Sequence, residues 1–404
     1  MVYLIIGNGP AGVSAIERIR QLDDQGKIIL VSKENNPPYS RIMTPEYMTV
    51  EVEEKDLFWR GIDFYTEYNV ETCLGRVVKR ILPEQSMVVL DNHETLIYDQ
   101  LLIAPGSRPV VPSWVNFDTK GVFTLWDKLD SEKINSHLSE VKRAVIVGGG
   151  LVGLQSARAL TAQGVSVTII EKMDRLMPVQ LDETASSMLV RLVEQNGIEV
   201  LLNTEVMSLE TANGGIAAVR TREKEIPADM VLFCIGIRPN LEMVSNTSLE
   251  LEQGLLVNEY MQTNLENIYA AGDVAQAFCQ QSGKQKLRAL WPCAVQQGKV
   301  AGANMAGGRD SYKGSMAMNS FQLFGLSVLS LGQIESTDDV EEKILMYPAS
   351  GSYQKLLIKE GKFLGLIFVR DIQQAGILFP KIGQFLEQGY WGSISLVEVE
   401  NIQV

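Results

Sequence analysis

One motif occurs twice in this chain, about 140 residues apart, and it constrains the fold more than any other feature. An apolar run at residues 2–6 ends in Gly7-Asn8-Gly9-Pro10-Ala11-Gly12, after which Val13, Ile16, Ile19 and Leu22 recur with helical spacing. A second run at 144–147 ends in Gly148-Gly149-Gly150-Leu151-Val152-Gly153, and its helical pattern stops near Gln163-Gly164. Each helix leads to a further apolar strand, Lys27 to Val31 and Val165 to Ile170. Each of those strands ends at an acid: Glu34 and Glu171 lie 22 and 18 residues beyond the last motif glycine. A lone GxGxxG is weak evidence, because glycine-rich turns are common. Strand, glycine turn, helix, strand and acid in that order is a narrow pattern, and two copies predict two α/β dinucleotide-binding domains rather than two βαβ units that bind nothing.

The chemistry is the same in each copy. The first glycine permits a tight turn, the second lets backbone approach a pyrophosphate, and the third lets the helix pack on the strand. The helix N-terminus offers unpaired N–H groups and a positive dipole end to the phosphates, and the acid accepts from ribose hydroxyls. Composition removes several other classes. With 404 residues, 46% apolar and 21% charged, the chain is long enough for two or three packed units. Its net charge of −13 has the wrong sign for neutralising phosphates along nucleic acid, so no nucleic-acid partner is expected. Four cysteines (Cys73, Cys234, Cys279, Cys293), none closer than fourteen residues to another, and two histidines (His93, His137) leave no local CxxC pair and no metal site. Sparse cysteines fit a reducing cytoplasm. The start of the chain carries no signal-peptide pattern, and no apolar window of ~18 residues predicts membrane insertion.

Short β-like segments follow the first motif, at Ser86 to Leu90 and Leu96 to Ile103, and lead to Ala104-Pro105-Gly106-Ser107-Arg108. Beyond the second motif, the run Met230 to Ile235 buries Cys234 as a small hydrophobe and closes at Gly236. Cys73 lies in a strand-like Val70 to Leu74 segment and is assigned a structural role. Ala271-Gly272-Asp273 precedes a helix-like Val274 to Phe278. From about residue 312, strand-like runs at 321–331, 343–347, 354–358 and 363–369 and a short amphipathic helix around 377–388 predict a small α+β domain. It holds neither cysteine nor histidine, so it is expected to pack or recognise rather than react.

Taken together these motifs resemble the pyridine nucleotide–disulfide oxidoreductase superfamily, over residues 1–310 above all. The resemblance implies two Rossmann-like domains, for FAD and NAD, plus the small C-terminal domain. It gives the FAD domain residues 1–109 and 242–311, the NAD domain 110–241 and the interface domain 312–404. Gly7, Gly9, Pro10, Ala11, Gly12 and Glu34 would hold the ADP half of FAD. Arg41, Ala104, Gly106, Arg108, Gly272, Asp273 and Trp291 would complete that site, with Asp273 on the ribityl chain and Trp291 near the isoalloxazine. Gly148, Gly150, Leu151, Val152, Gly153, Glu171 and Gly236 would hold the nicotinamide cofactor. Glu171 favours NADH over NADPH, although Lys172 and Arg175 soften the discrimination. The segment Pro38-Tyr39-Ser40-Arg41, with Pro45-Glu46-Tyr47 and the short last domain, is similar to NADH:rubredoxin oxidoreductases and to the flavoprotein portion of assimilatory nitrite reductases.

Two departures bear on the reaction. Disulfide reductases of this superfamily carry cysteine in the stretch equivalent to residues 38–48, and here there is none. Electrons would then leave from the flavin itself, singly, to a rubredoxin-, ferredoxin- or other iron–sulfur carrier protein. Oxygen, as in an NADH oxidase, and a role as flavoprotein subunit of a larger redox complex are the alternatives. Relatives also commonly pair a Lys with a Glu beside the flavin, at positions that here read Glu46 and Gln155. These two are expected to hydrogen-bond across the nicotinamide site, the alternative being a surface position for Glu46. Lys284, Lys286 and Arg288 form the basic cluster best suited to an acidic carrier, with Lys359, Lys362, Arg370 and Lys381 a second candidate.

Overall fold

The computed structural model describes residues 1–385 apart from 348 and 374. By contact the chain divides into two compact units: residues 1–43, 52–109 and 237–315 form the first, and 44–51, 110–236 and 316–404 the second.

In the first unit Val2–Ile6 occupies the centre of a five-stranded sheet, between Lys27–Ser32 and Gln100–Ile103, with Val70–Leu74 and Ile268–Ala270 at the edges. All pairings are parallel. Such strands are covered on both faces, which is why they read as unbroken apolar runs: Leu4, Ile5, Leu30, Leu101 and Leu102 are fully buried. The chain leaves Val2–Ile6 for a strand on one side and returns on the other, so the C-terminal end of that strand is the crevice where open α/β sheets bind ligands. Two helices pack beside it, Pro10–Leu22 and Trp291–Met305. Gly298 and Gly302 meet the backbone of Ala11 and Ala15 so closely that a methyl group on either would overlap it.

The second unit repeats the plan. Arg143–Val147 lies between Ser166–Ile170 and Met230–Phe233 in a parallel sheet completed by Glu199–Leu201 and Val122–Thr124. The last segment adds a five-stranded antiparallel sheet in the spatial order Met318–Leu323, Leu326–Gly332, Lys362–Val369, Ser352–Lys359, Glu341–Tyr347. One core cluster joins Leu323, Val328, Tyr353, Ile367 and Val369 of this sheet to Ile146, Leu154, Ile169 and Leu189.

The contact partition draws its boundaries differently from those expected. Residues 44–51 belong to the second unit: Ser131 donates to the Thr44 carbonyl at 3.1 Å and Asn135 to the Met48 carbonyl at 3.1 Å. Residues 237–241 belong to the first, because Ile237–Pro239 pairs with Ser107–Pro109. Residues 312–315 follow it, with Ser315 bridged to Cys279. The small C-terminal domain packs on the second parallel sheet and shares a core cluster with it, so both fall in one contact unit. Residues 275–279 are a strand, not a helix: they pair with Lys284–Leu287 and Leu255–Leu256, and this long-range pairing overrides local propensity. The expected final helix is a single turn, Ala375–Leu378, continued by Phe379–Lys381; its residues 386–388 lie outside the described residues.

Candidate functional site

Both glycine turns have the same geometry. Gly7 N donates to the Val31 carbonyl at 2.8 Å and Gly148 N to the Ile170 carbonyl at 2.8 Å. Gly7 and Gly148 have φ of +113° and +112°, a region that side-chain-bearing residues avoid. A Cβ on Gly7 would overlap the Ala104 carbonyl, and one on Gly148 the Cys234 carbonyl. The third glycines, Gly12 and Gly153, lie on the carbonyls of Gly7 and Gly148. The middle glycines differ: Gly9 and Gly150 have extended backbones, and a Cβ there would meet no protein atom within 4 Å. They face cradles that the protein leaves open. Neither following helix has a capping side chain or an acid in its first turn, so the positive ends and free N–H groups remain for phosphates. Pro10, Ala11, Leu151 and Val152 are the first helical residues of these turns. These cradles fit two dinucleotides.

The other residues expected to hold FAD lie in the first unit. Glu34 accepts from Tyr39 Oη at 2.5 Å and is ion-paired with Arg41, which donates to Tyr39 at 2.8 Å. The acid is thus oriented by the Pro-Tyr-Ser-Arg segment. Asp273, beside Gly272, accepts from the Ser107 hydroxyl; burial pushes its carboxyl up while Ser107 and Arg41 oppose the shift. Gly272 N is held by Gln297 Oε1 at 2.8 Å. Trp291 opens its helix and meets Trp59 edge-on at 5.0 Å. The sequence reading missed Asn8, whose amide donates to Asn36 O at 2.9 Å and Tyr65 Oη at 2.8 Å while its Oδ1 is buried without a partner. That orphaned acceptor lies in the first glycine turn and fits a bound donor. Gly106 has open space around it. Arg108 donates to Asn240 Oδ1 at 2.8 Å and ion-pairs with Glu242, closing the Ser107–Pro109 ribbon.

In the second unit Glu171 is buried and held by backbone. Its Oε2 accepts from Gly149 N at 2.7 Å and its Oε1 from Met173 N at 2.8 Å. Two of about four lone-pair sites are thereby used, leaving acceptors for ribose hydroxyls. Gly236, with open space beside it, follows Cys234, whose thiol is pushed up to about 12 by burial.

Glu46 and Gln155 share no hydrogen bond with each other; Arg158 engages both. Arg158, one turn along the helix from Gln155, stands with both: it donates to Glu46 Oε1 at 3.1 Å and to Gln155 Oε1 at 3.3 Å. Its other nitrogen takes Glu51 at 3.0 Å, and Gln155 donates to the Gln322 carbonyl at 3.0 Å. A carboxylate gains more from a guanidinium than from an amide, and positions three apart on a helix share a face. The sequence signal was that spacing. Glu46, Gln155, Arg158 and Gln322 line a 560 Å³ cavity with Thr161 and Phe324, where Glu46 Oε2 and Thr161 Oγ1 are buried without partners.

The cysteines are scattered. Cys73 is half-buried, and burial pushes its thiol up. Cys279 is fully buried; burial alone would raise its thiol, but hydrogen bonds from Arg288 at 3.6 Å and from Ser282 bring it to about 7. Arg288, which also donates to Gln281, is therefore not part of an open basic cluster, whereas Lys284 and Lys286 are exposed. Among the described residues no group of three or more metal-ligating side chains exists, and no helix is long and apolar enough to cross a membrane.

Comparison with known proteins agrees with this geometry. Residues 1–298 match the family described as pyridine nucleotide-disulphide oxidoreductase, and residues 318–388 the rubredoxin NAD+ reductase C-terminal domain. The chain is 29% identical to the NADH-dependent phenylglyoxylate dehydrogenase subunit epsilon of Aromatoleum evansii, over 93% of this chain and 90% of that one. It is 28% identical to the nitrite reductase [NAD(P)H] of Bacillus subtilis over 98% of its own length but only 49% of that relative's, so it spans about half of that protein. The crystal structure of NADH:rubredoxin oxidoreductase from Clostridium acetobutylicum superposes with a TM-score of 0.77 at 25% identity, covering 95% of each chain. The chain belongs to the pyridine nucleotide-disulphide oxidoreductase family, and it is an FAD-dependent NADH oxidoreductase.

Proposed function

We propose that this protein takes electrons from NADH and delivers them singly to a small iron–sulfur carrier of the rubredoxin or ferredoxin kind, with no cysteine relay. The observation that carries the reading is the segment 38–48. It holds no thiol, and its Tyr39 and Arg41 are instead tied to Glu34 beside the first glycine turn. FAD, when bound, accepts two electrons as hydride and releases them one at a time, which is the conversion such a carrier needs.

The chain's own residues supply binding and orientation. The Gly7–Gly12 turn, Asn8, Asp273 and Gln297 hold the flavin cofactor, and the Gly148–Gly153 turn with Glu171 holds NADH. We place Glu46 and Gln155, fixed by Arg158, at the nicotinamide end, since they lie on and against the helix that the second glycine turn opens. For the carrier, Lys284 and Lys286 on the exposed edge strand Lys284–Leu287 offer positive charge on a chain of net −13. An acidic carrier would be steered there. The match to a rubredoxin NAD+ reductase C-terminal domain supports the same class of partner, and the relative named as a subunit supports a place in a larger redox complex.

The test is to reduce the holoenzyme anaerobically with NADH and follow reoxidation by rubredoxin, ferredoxin and oxygen. Fast reoxidation by a carrier, slowed at low salt by Lys284→Glu with Lys286→Glu while NADH bleaching is unchanged, is expected. Faster reoxidation by oxygen than by either carrier would overturn the reading in favour of an NADH oxidase.

A further inference from the structure

The C-terminal sheet reaches the loop that begins at Glu171. The loop runs from Glu171 to the helix Glu183–Gln195. At its start Gly149 N donates to Glu171, and at its middle Met177 N donates back to the Gly149 carbonyl at 3.0 Å. The loop therefore sets the glycine turn, and the turn sets the loop. Met177 is fully buried with φ of +53°, a conformation unfavourable for any residue with a side chain unless its surroundings over-determine it.

Those surroundings include the last segment of the chain. Leu176, Met177 and Leu181 share a core cluster with Tyr353, Ile367 and Val369. Asp182 ends the loop as the N-cap of the following helix, accepting from Ala185 N at 2.9 Å. Its second oxygen accepts from Tyr353 Oη at 2.6 Å and pairs with Lys355 Nζ at 3.2 Å. Lys355 is 5% exposed and also pairs with Glu342 at 2.8 Å. A buried ion pair is a poor source of stability, because desolvating two charges offsets much of their attraction. What it supplies is registry: Asp182 has one position in which the cap, the phenol and the ammonium are all satisfied.

We propose that Tyr353 and Lys355 are positioning residues for NADH: by fixing Asp182 they hold the Glu171 loop, and with it the second glycine turn, in the shape that binds the dinucleotide. The tail thereby sets affinity for NADH without touching it.

Three variants of the holoenzyme test this: Tyr353→Phe, Lys355→Met and Asp182→Asn, the last keeping a competent N-cap. Binding of NAD+ to the oxidised protein is measured by calorimetry, and NADH binding by the concentration dependence of anaerobic flavin bleaching. The expected result is a dissociation constant raised about tenfold, which is about 1.4 kcal/mol. FAD content and the limiting bleaching rate should stay within about twofold, and Lys355→Arg should restore most of the affinity. Unchanged NADH and NAD+ binding in the folded variants would overturn the proposal, as would a parallel loss of FAD. Should Lys355→Met fail to fold, the other two variants decide the matter by the same readings.

Discussion

Gly150→Ala separates what a glycine does for the fold from what it does for a ligand. Gly150 is the N-cap of Leu151–Ala162 with φ −82° and ψ −178°, a conformation open to alanine, and a Cβ there meets nothing within 4 Å. The protein alone should lose at most about 1 kcal/mol, the ordinary gap between glycine and alanine at an N-cap. On the proposed reading the added methyl stands where a pyrophosphate approaches the backbone. Losing one hydrogen bond to a charged phosphate costs about 1.5–3 kcal/mol, which weakens NADH binding by roughly 10- to 150-fold. The flavin should be retained, because the corresponding cradle at Gly9 belongs to the other unit. The assay is anaerobic flavin bleaching against NADH concentration, with the bound FAD absorbance as internal control and a thermal melt for the fold. NADH saturation at the wild-type concentration would refute the reasoning, since Gly150 would then face no ligand. Gly148→Ala is the contrasting variant: at φ +112°, with the Cys234 carbonyl in the way, it should unfold the second unit before any question of binding arises.

Other perturbations have definite outcomes. Arg158→Met strips the guanidinium from Glu46 and Glu51 at once, and these groups are only about a quarter exposed. It should destabilise the second unit by about 1–3 kcal/mol and open residues 44–51 to protease, whereas a melt and a cleavage pattern equal to wild type would deny the clamp. Gly298→Ala places a methyl into the Ala11 backbone and should cost about 1–3 kcal/mol with loss of bound FAD; full flavin occupancy at an unchanged melting temperature contradicts it. Cys279 gives a pH dependence. Its thiol lies at about 7 in the fold against an ordinary 9.0, so the folded state is the stronger acid and binds fewer protons between those values. Its contribution, about 2–3 kcal/mol, is present in full above pH 9 and lost as pH falls through 7. Urea unfolding under reducing conditions should show the stability gap between wild type and Cys279→Ser widening from pH 6.5 to 9; parallel profiles refute the thiolate.

The sequence by itself determined the two parallel sheets and the positions of their glycine turns. The reason is locality: a glycine turn, the helix after it and the acid at the end of the next strand occupy about 30 residues, and each element announces itself by spacing. Gly7, Gly12, Gly148 and Gly153 have the close backbone approaches that the motif requires, and Gly9 and Gly150 have the open space. Only the tertiary structure decided which charges meet. Arg158 neutralises Glu46 from 112 residues away, Lys355 reaches Asp182 across 173, and Arg288 turns inward to Cys279 rather than outward with Lys284 and Lys286. The strand at 275–279 likewise exists because of partners that no local pattern names. A long side chain's partner depends on where distant backbone segments converge, and the energy of a charged contact is set by burial and geometry that spacing does not encode. The two glycine turns and the sheets that carry them were therefore legible in the chain, and the long-range charged contacts around them were not.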